Sequence, residues 1–393
     1  MKILMLNHNR VWEGTFNRAF QLARALAKRG HEATVVTTSP GELFSFREYE
    51  LSGVVIVEAP DLFFGRLRNG WGLLNALRRT EYLRGRSFDV ITAFDCRPVV
   101  IYPALYLKKS RGIPLVIDWA DWWGRGGASH LRENPLMNRL FEPVETYFEE
   151  SFRKEADQST VISRALKERL LGLMPESSGI DIIPHGCDVD GIKVMDKRYA
   201  RGELGIPRDH KVLIFATFAR YDLDLLFAAF REVLRKRPDT LLVITGTKPG
   251  IDGDLRGRVL TPGKVSRERL NLYLSAADLC LMPLSDNIAN RARFPGKIGD
   301  YMAAGRPVVS NPVGDASRMV AEHDFGVLTG SDPVSYAEGI CGALRDESRL
   351  ERWGANARRA AEEFFSFETI ACRFERVYEN AVNGRARAAA EKT

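Results

Sequence analysis

Short apolar runs alternate with segments whose apolar residues recur three and four positions apart, and this alternation runs twice along the chain. KILML at the start reads as a buried parallel strand. FNRAFQLARALAKRG then places Phe16, Phe20, Ala23, Leu26 and Ala27 on one helical face, and Gly30 stops the helix. HEATVVTTSP, VVIVEAP, FDVITAF and PLVIDWA supply four more strands. A helical stretch over 135–156, the run STVIS and a helix from Arg164 to Leu173 follow, and DIIPHGCDVD reads as a linker. From Lys211 the pattern starts afresh: KVLIFATFA, a helix in LDLLFAAFREVLRKRP, TLLVITG, GRVLTPG, a helix over SRERLNLYLSAA, DLCLMPL, a helix, and RPVVSNP. The pattern predicts an α/β protein of two Rossmann-like, doubly wound parallel sheets. The expected domains are residues 1–184, a linker over 185–196, and residues 197–365, with a C-terminal helix in 366–393 packing back on the first domain. In such a pair the carboxyl ends of the strands face a shared cleft.

Composition changes this picture little. The 393 residues are 45% hydrophobic and 27% charged, an ordinary globular balance. Cys96, Cys187, Cys280, Cys341 and Cys372 are scattered and form no CxxC, so neither a disulfide framework nor a zinc site is expected. The N-terminus enters a strand directly and is not read as a signal peptide, and no run approaches the about 18 apolar residues of a membrane span. A cytoplasmic protein is expected, with any membrane contact peripheral at the inner face. A net charge of +6 allows anionic partners, but the basic residues form no nucleic-acid module, and no nucleic-acid partner is expected.

Candidate chemistry concentrates in residues 290–315, NRARFPGKIGDYMAAGRPVVSNPVGD. Pro295 and Gly296 open a helix through Ala304, so Arg291, Arg293 and Lys297 crowd its N-terminal end, where a cation is unfavourable unless an anion is bound. Backbone N–H groups with Arg and Lys side chains make a phosphate site there, with Phe294 and Gly296 at the helix start. Asp300, three residues after Lys297, is placed to accept hydrogen bonds from a ribose diol. The plainer reading is a surface helix start with solvated cations.

The run PGKIGDYMAAGRPVV closely resembles the C-terminal signature of the retaining glycosyltransferases of family four, the glycogen-synthase-like GT-B enzymes. LARALAKRGHEATVVTT, ADQSTVISRALKERL with DIIPHGCDVD, and VLIFATFARYDLDLLFAAFREVLRKRPDTLLVITG are similar to further stretches of that family. The resemblance implies a metal-independent enzyme without a cofactor. It would transfer a sugar, with retention, from a nucleotide-diphosphate sugar to a carbohydrate or glycolipid acceptor. Two family glutamates have Ala292 and Asp300 at their places. An Arg and a Lys that neutralise the diphosphate in relatives have Ala216 and Tyr221 at theirs, leaving Arg220 as the nearest cation. The Asp188-Val189-Asp190 triplet has the spelling of a metal-binding DxD, but it stands where the family has its G-V-D connection.

In the first half, Gly14 lets the backbone approach a ligand and Thr15 is expected to cap the first helix. The resemblance implies that this loop lies near the donor phosphate and the reacting sugar. IDWADWWGRGG ends a strand with carboxylates among Trp rings, which suits a polyhydroxylated ligand, and Asp121 is the expected acceptor or donor-sugar contact. A packed aromatic corner gives the same sequence. Relatives place a His near this strand end, and none stands there. Residues 63–86 interleave Arg66, Arg68, Arg78, Arg79, Arg84 and Arg86 with Trp71 and leucines. A solvated face over a packed stripe is the plainer reading, and a helix lying on anionic lipid shows the same pattern. Lys297, Arg293 and Asp121 are the catalytic candidates. Gly14, Thr15, Arg220, Arg291, Phe294, Gly296 and Asp300 are the donor-binding ones, and no metal ligand is expected. The competing readings are a nucleotide-sugar-binding protein that has lost turnover, motivated by Ala292, and a sugar-nucleotide epimerase of the same architecture.

Overall fold

The computed structural model describes residues 1–62, 70–131, 134–176, 179–217 and 222–390. The chain divides into two compact units, Met1–Pro184 with Phe367–Thr393, and His185–Ser366.

The first unit is built on an eight-stranded sheet: β1 (Lys2–Arg10), β2 (Glu32–Thr38), β3 (Arg47–Leu51), β4 (Val54–Ala59), β5 (Val90–Phe94), β6 (Leu115–Trp119), β7 (Gln158–Val161) and β8 (Ile180–Ile182). Their order is β3-β4-β2-β1-β5-β6-β7-β8. Strand direction in sequence reverses between β1 and β5, the topological switch point where such sheets bind ligands. Alternate residues of β1 face opposite layers. Ile3 and Met5 pack against the helix Thr15–Lys28 and the C-terminal helix, whereas Leu4 and Leu6 pack against the helices Leu73–Leu83 and Pro98–Arg111. Burial on both faces is why these strands read as unbroken apolar runs.

The C-terminal helix, Phe367–Ala390, places Phe367, Ile370, Phe374, Val377 and Tyr378 in the first unit's core, and Thr92 donates to the Tyr378 hydroxyl at 2.8 Å. The sheet is parallel as expected except at its edge, where β3 is antiparallel to β4. Ser52 (φ 53°) and Gly53 (φ 78°) both adopt the left-handed conformation that a two-residue hairpin turn needs. The strand REYEL is polar and sits at the edge, so no apolar run announces it.

The second unit carries a six-stranded, all-parallel sheet: β9 (Lys211–Ala216), β10 (Thr240–Thr245), β11 (Val259–Gly263), β12 (Leu279–Met282), β13 (Val308–Ser310) and β14 (Gly326–Leu328), in the order β11-β10-β9-β12-β13-β14. Its switch point lies between β9 and β12. Leu213, Phe215, Leu242, Ile244, Leu279 and Leu281 form one face of its core with the helix Leu223–Lys236. Among the described residues no helix is long and apolar enough to cross a membrane.

Candidate active site

In the second unit two of the side chains expected to hold phosphate, Lys297 and Arg293, meet at the switch point. Lys297 begins a helix of seven residues, Lys297–Ala303, with Gly296 as its N-cap, two residues later than the Pro295 start expected from sequence. Its Nζ lies 3.8 Å from the centre of the Phe215 ring at the end of β9. Burial and then the Arg293 guanidinium lower the Lys297 pKa to about 7, with Asp222 opposing. Arg293 Nη2 lies 3.1 Å from the Asp222 carboxylate, and its buried Nε has no hydrogen-bond partner.

Asp222 precedes the helix Leu223–Lys236 with a left-handed backbone (φ 68°). The same carboxylate accepts from Ser285 N at 2.8 Å and Asn290 Nδ2 at 3.2 Å. Two cations therefore face one carboxylate that is also committed to the protein. Beneath them the buried Tyr301 hydroxyl accepts from Ala216 N at 2.9 Å and donates to the Leu281 carbonyl at 3.2 Å, tying the ends of β9 and β12 together.

Arg291 does not join this pair. It lies on the short helix Ile288–Ala292 and is held in an exposed two-point pair with Asp286 at 2.6 and 2.7 Å, a nearer anion than anything at the Lys297 helix. Phe294 is buried beside the turn, and a Cβ on Gly296 would come no closer than 3.8 Å to the His185 ring. Ala292 is fully buried. Arg220 and Tyr221 lie outside the described residues.

Asp300 faces Arg267, whose Nη1 is 2.9 Å away; Arg267 Nη2 reaches Asp188 at 3.1 Å. Burial raises the Asp300 carboxyl above its ordinary range, with Arg267 opposing. Asp188 also accepts from Gly191 N at 3.1 Å, so this member of the DxD triplet serves a turn and an ion pair. Among the described residues no three His, Cys, Asp or Glu side chains are grouped to hold a metal ion.

The first unit has a recess at the carboxyl ends of β1, β5 and β6, lined in part by His8, Thr15, Asp95, Asp121, Trp123 and Arg153. Gly14 adopts φ 49° and ψ −130°, and a Cβ there would sit 2.6 Å from the Asn9 amide. Thr15 does not cap the helix as expected, because it is already the first helical residue. Asn9 does the capping: its Oδ1 accepts from Thr15 N at 3.0 Å and from the Thr15 hydroxyl at 2.6 Å, and Asn7 Nδ2 donates to that hydroxyl at 2.8 Å.

Of the aspartates in IDWAD, Asp118 is structural. It accepts from Arg18 at 2.9 and 3.0 Å and from Thr160 at 2.6 Å. Asp121 lines the recess, while Trp119 is packed under the Arg153 guanidinium, 3.8 Å from its ring centre.

Sequence reasoning missed His8. It is buried, and burial, then Arg97 and Arg79, hold the imidazole neutral by lowering its pKa well below the ordinary value. Its Nδ1 makes no hydrogen bond, although Asp95 Oδ2 is 3.3 Å away. Asp95 itself has φ 105°, a conformation non-glycine residues rarely hold. The available signal was the polar triplet Asn7-His8-Asn9 closing an apolar strand at a switch point.

Comparison with known proteins agrees with this architecture. Residues 12–190 match the family profile Glycosyltransferase Family 4, and residues 209–346 match Glycosyl transferases group 1. The protein YtcC of Bacillus subtilis is 25% identical over 333 residues, which are 77% of this chain and 75% of that one. Matches to bacterial D-inositol 3-phosphate glycosyltransferases span about half of those proteins' length. Sucrose-phosphate synthase of Thermosynechococcus elongatus superposes with a TM-score of 0.77 at 18% identity, covering 98% of this chain and 99% of that one. Anabaena HepE in complex with UDP and glucose superposes with a TM-score of 0.68 at 17% identity, covering 96% and 99%. With two adjoining glycosyltransferase profiles and two doubly wound units, this chain belongs to the family-four glycosyltransferases of the GT-B fold.

Proposed function

We propose that this glycosyltransferase moves a sugar, with retention and without a metal ion, from a nucleoside-diphosphate sugar to a hydroxyl of a carbohydrate or glycolipid acceptor. The observation that carries the reading is the pairing of Lys297 and Arg293 against the single carboxylate of Asp222 at the β9–β12 switch point. Like charges held this close, with Lys297 driven toward its neutral form, are stabilised by a bound dianion, and a diphosphate supplies one. That Anabaena HepE, a protein of similar fold, has been seen with UDP supports the same class of donor.

In this reading the bond from the anomeric carbon to the diphosphate oxygen breaks while Lys297 and Arg293 stabilise the charge that develops on that oxygen. The acceptor hydroxyl attacks on the same face and passes its proton to the departing oxygen, so no side-chain nucleophile is required. Asp300 with Arg267 holds the ribose, and the first unit's recess with His8 and Asp121 takes a polyhydroxylated ligand.

Lys297→Ala should lower turnover about 100- to 1,000-fold, as removal of one transition-state donor does, with the protein still folding cooperatively. The test is a coupled assay of nucleoside-diphosphate release in EDTA, with the product anomer read by NMR. An inverted product would refute retention, and undiminished turnover would remove Lys297 from the site.

A further inference from the structure

The carboxylate assigned to the ribose does not stand alone. Asp300, on the helix Lys297–Ala303, and Asp188, in the turn before Gly191, both face one guanidinium: Arg267 Nη1 lies 2.9 Å from Asp300 Oδ1, and Arg267 Nη2 lies 3.1 Å from Asp188 Oδ2. Arg267 is the first residue of the helix Arg267–Ala276, which Ser266 caps by accepting from Arg269 N at 3.2 Å. Asp188 is anchored from its other oxygen, since Oδ1 accepts from Gly191 N at 3.1 Å, and a Cβ at residue 191 would sit 2.3 Å from Oδ2. Arg267 is not among the cations that the sequence singles out, Arg220, Arg291, Arg293, Lys297 and the basic stretch 63–86, of which 63–69 lie outside the described residues. Asp188 is 79 residues away from it, so no local spacing announces the bridge.

The bridge answers a physical problem. Two carboxylates near a common point repel each other, and burial penalises their charge further. Burial raises the Asp300 carboxyl above its ordinary range; Arg267 opposes that shift, and Asp188 adds to it. Take the guanidinium away and Asp300 is the acid that both burial and Asp188 push toward protonation. With the guanidinium in place, Asp300 stays an acceptor-only group of fixed orientation. The planar fork of arginine can pair with two carboxylates at once, which a lysine ammonium on a flexible stem does poorly.

Charge decides what such a bridge recognises. With both acids ionised it is net negative, so it favours hydrogen-bond donors and repels a phosphate or carboxylate. Asp300 keeps 22% of its side chain accessible, enough for a ligand hydroxyl to reach it. Oδ1 faces Arg267, which leaves Oδ2 as the oxygen for that hydroxyl. A ribose offers a pair of neighbouring hydroxyls, whereas a 2′-deoxyribose offers one.

Resting on the reading that Asp300 holds the ribose of the donor, we propose that Arg267 is a positioning residue: it keeps Asp300 charged and oriented, and through it the site selects ribonucleoside over 2′-deoxyribonucleoside diphosphates. The donor sugar is then carried on a ribonucleotide, and thymidine diphosphate, which lacks the 2′-hydroxyl, is a poor ligand.

Calorimetry of the full chain in EDTA compares UDP with 2′-deoxy-UDP, GDP with 2′-deoxy-GDP and ADP with 2′-deoxy-ADP. For the base that the protein accepts, the wild type should bind the ribo form about tenfold or more tighter, as loss of a hydrogen bond to a charged acceptor does. Asp300→Ala should erase that difference. Arg267→Ala should lose most of it by weakening the ribo form alone, and Arg267→Lys, which reaches one acid without spanning both, should restore part. An Arg267 that only supports the fold would weaken both forms alike, and that result overturns the proposal. An undiminished ribo preference in Arg267→Ala overturns it too. Equal binding of the two forms by the wild type overturns it while leaving the diphosphate assignment to Lys297 and Arg293 intact, whereas no binding of any nucleotide refutes the donor reading and this proposal together.

Discussion

The depressed pKa of Lys297 makes the affinity for a nucleoside diphosphate depend on pH in a calculable way. The free site holds this ammonium with a pKa of about 7, because burial and Arg293 oppose its charge. A bound diphosphate removes that opposition, so binding selects the protonated form. If the ammonium stays protonated in the complex, the competent fraction of free protein falls from about one half at pH 7 to about 3% at pH 8.5, and affinity falls about 15-fold. The diphosphate is almost fully ionised over this range and contributes little. Binding should take up about 0.9 proton at pH 8, measurable by calorimetry in buffers of different ionisation enthalpy. Lys297→Arg should flatten the profile, since a guanidinium stays charged throughout. Ligand-free stability runs the other way. Between about 7 and 10.5 the unfolded chain binds a proton that folded Lys297 has lost, so this group adds stability as pH rises. A flat affinity profile in the wild type, or one that still falls in Lys297→Arg, refutes the argument.

Three further outcomes follow from the geometry. Asp222→Ala removes the carboxylate that holds Arg293, Ser285 N and Asn290, and should cost about 2–4 kcal/mol in urea unfolding, as loss of a buried charged acceptor does. Asp118→Asn takes the carboxylate bonded to the buried Arg18 guanidinium, leaving it the Ile183 and Pro184 carbonyls, and should cost about 3–5 kcal/mol, whereas Asp121→Asn should act on turnover. Gly14→Ala places a Cβ against Asn9 in a backbone that L-residues avoid; it should destabilise by about 1–3 kcal/mol and raise the KM for the donor.

The parts of the fold that could be read from sequence are those where burial writes an unbroken apolar run. KILML, FDVITAF and TLLVITG face helices on both sides, so apolar residues dominate both faces rather than alternating with polar ones, and each contains a strand. β3 escaped because an edge strand with one wet face needs no such run, and β14 because three residues, GVL, are too few to show a period. In the site, Lys297 and Arg293 were visible because a Pro-Gly turn places cations before a helix, a local relation. Asp222, Arg267 and His8 were not. Each reaches its partner from a distant part of the chain, and no spacing rule couples Arg293 with Asp222 or Arg267 with Asp300. Arg291 stands apart from them in this structure: spacing put it near the helix start, and Asp286, five residues earlier, pairs with it.

The central claim is that the β9–β12 switch point binds the diphosphate of a nucleotide sugar through Lys297 and Arg293. The most direct measurement is the thermal shift of the purified protein with UDP, GDP, ADP and TDP in the presence of EDTA, for the wild type, Lys297→Ala and Arg293→Ala. A ligand bound only by the folded state raises the melting temperature. The account predicts a clear rise with one of the four in the wild type, reduced or absent in both variants. No rise with any of them at millimolar concentration, or an equal rise in both variants, would contradict it.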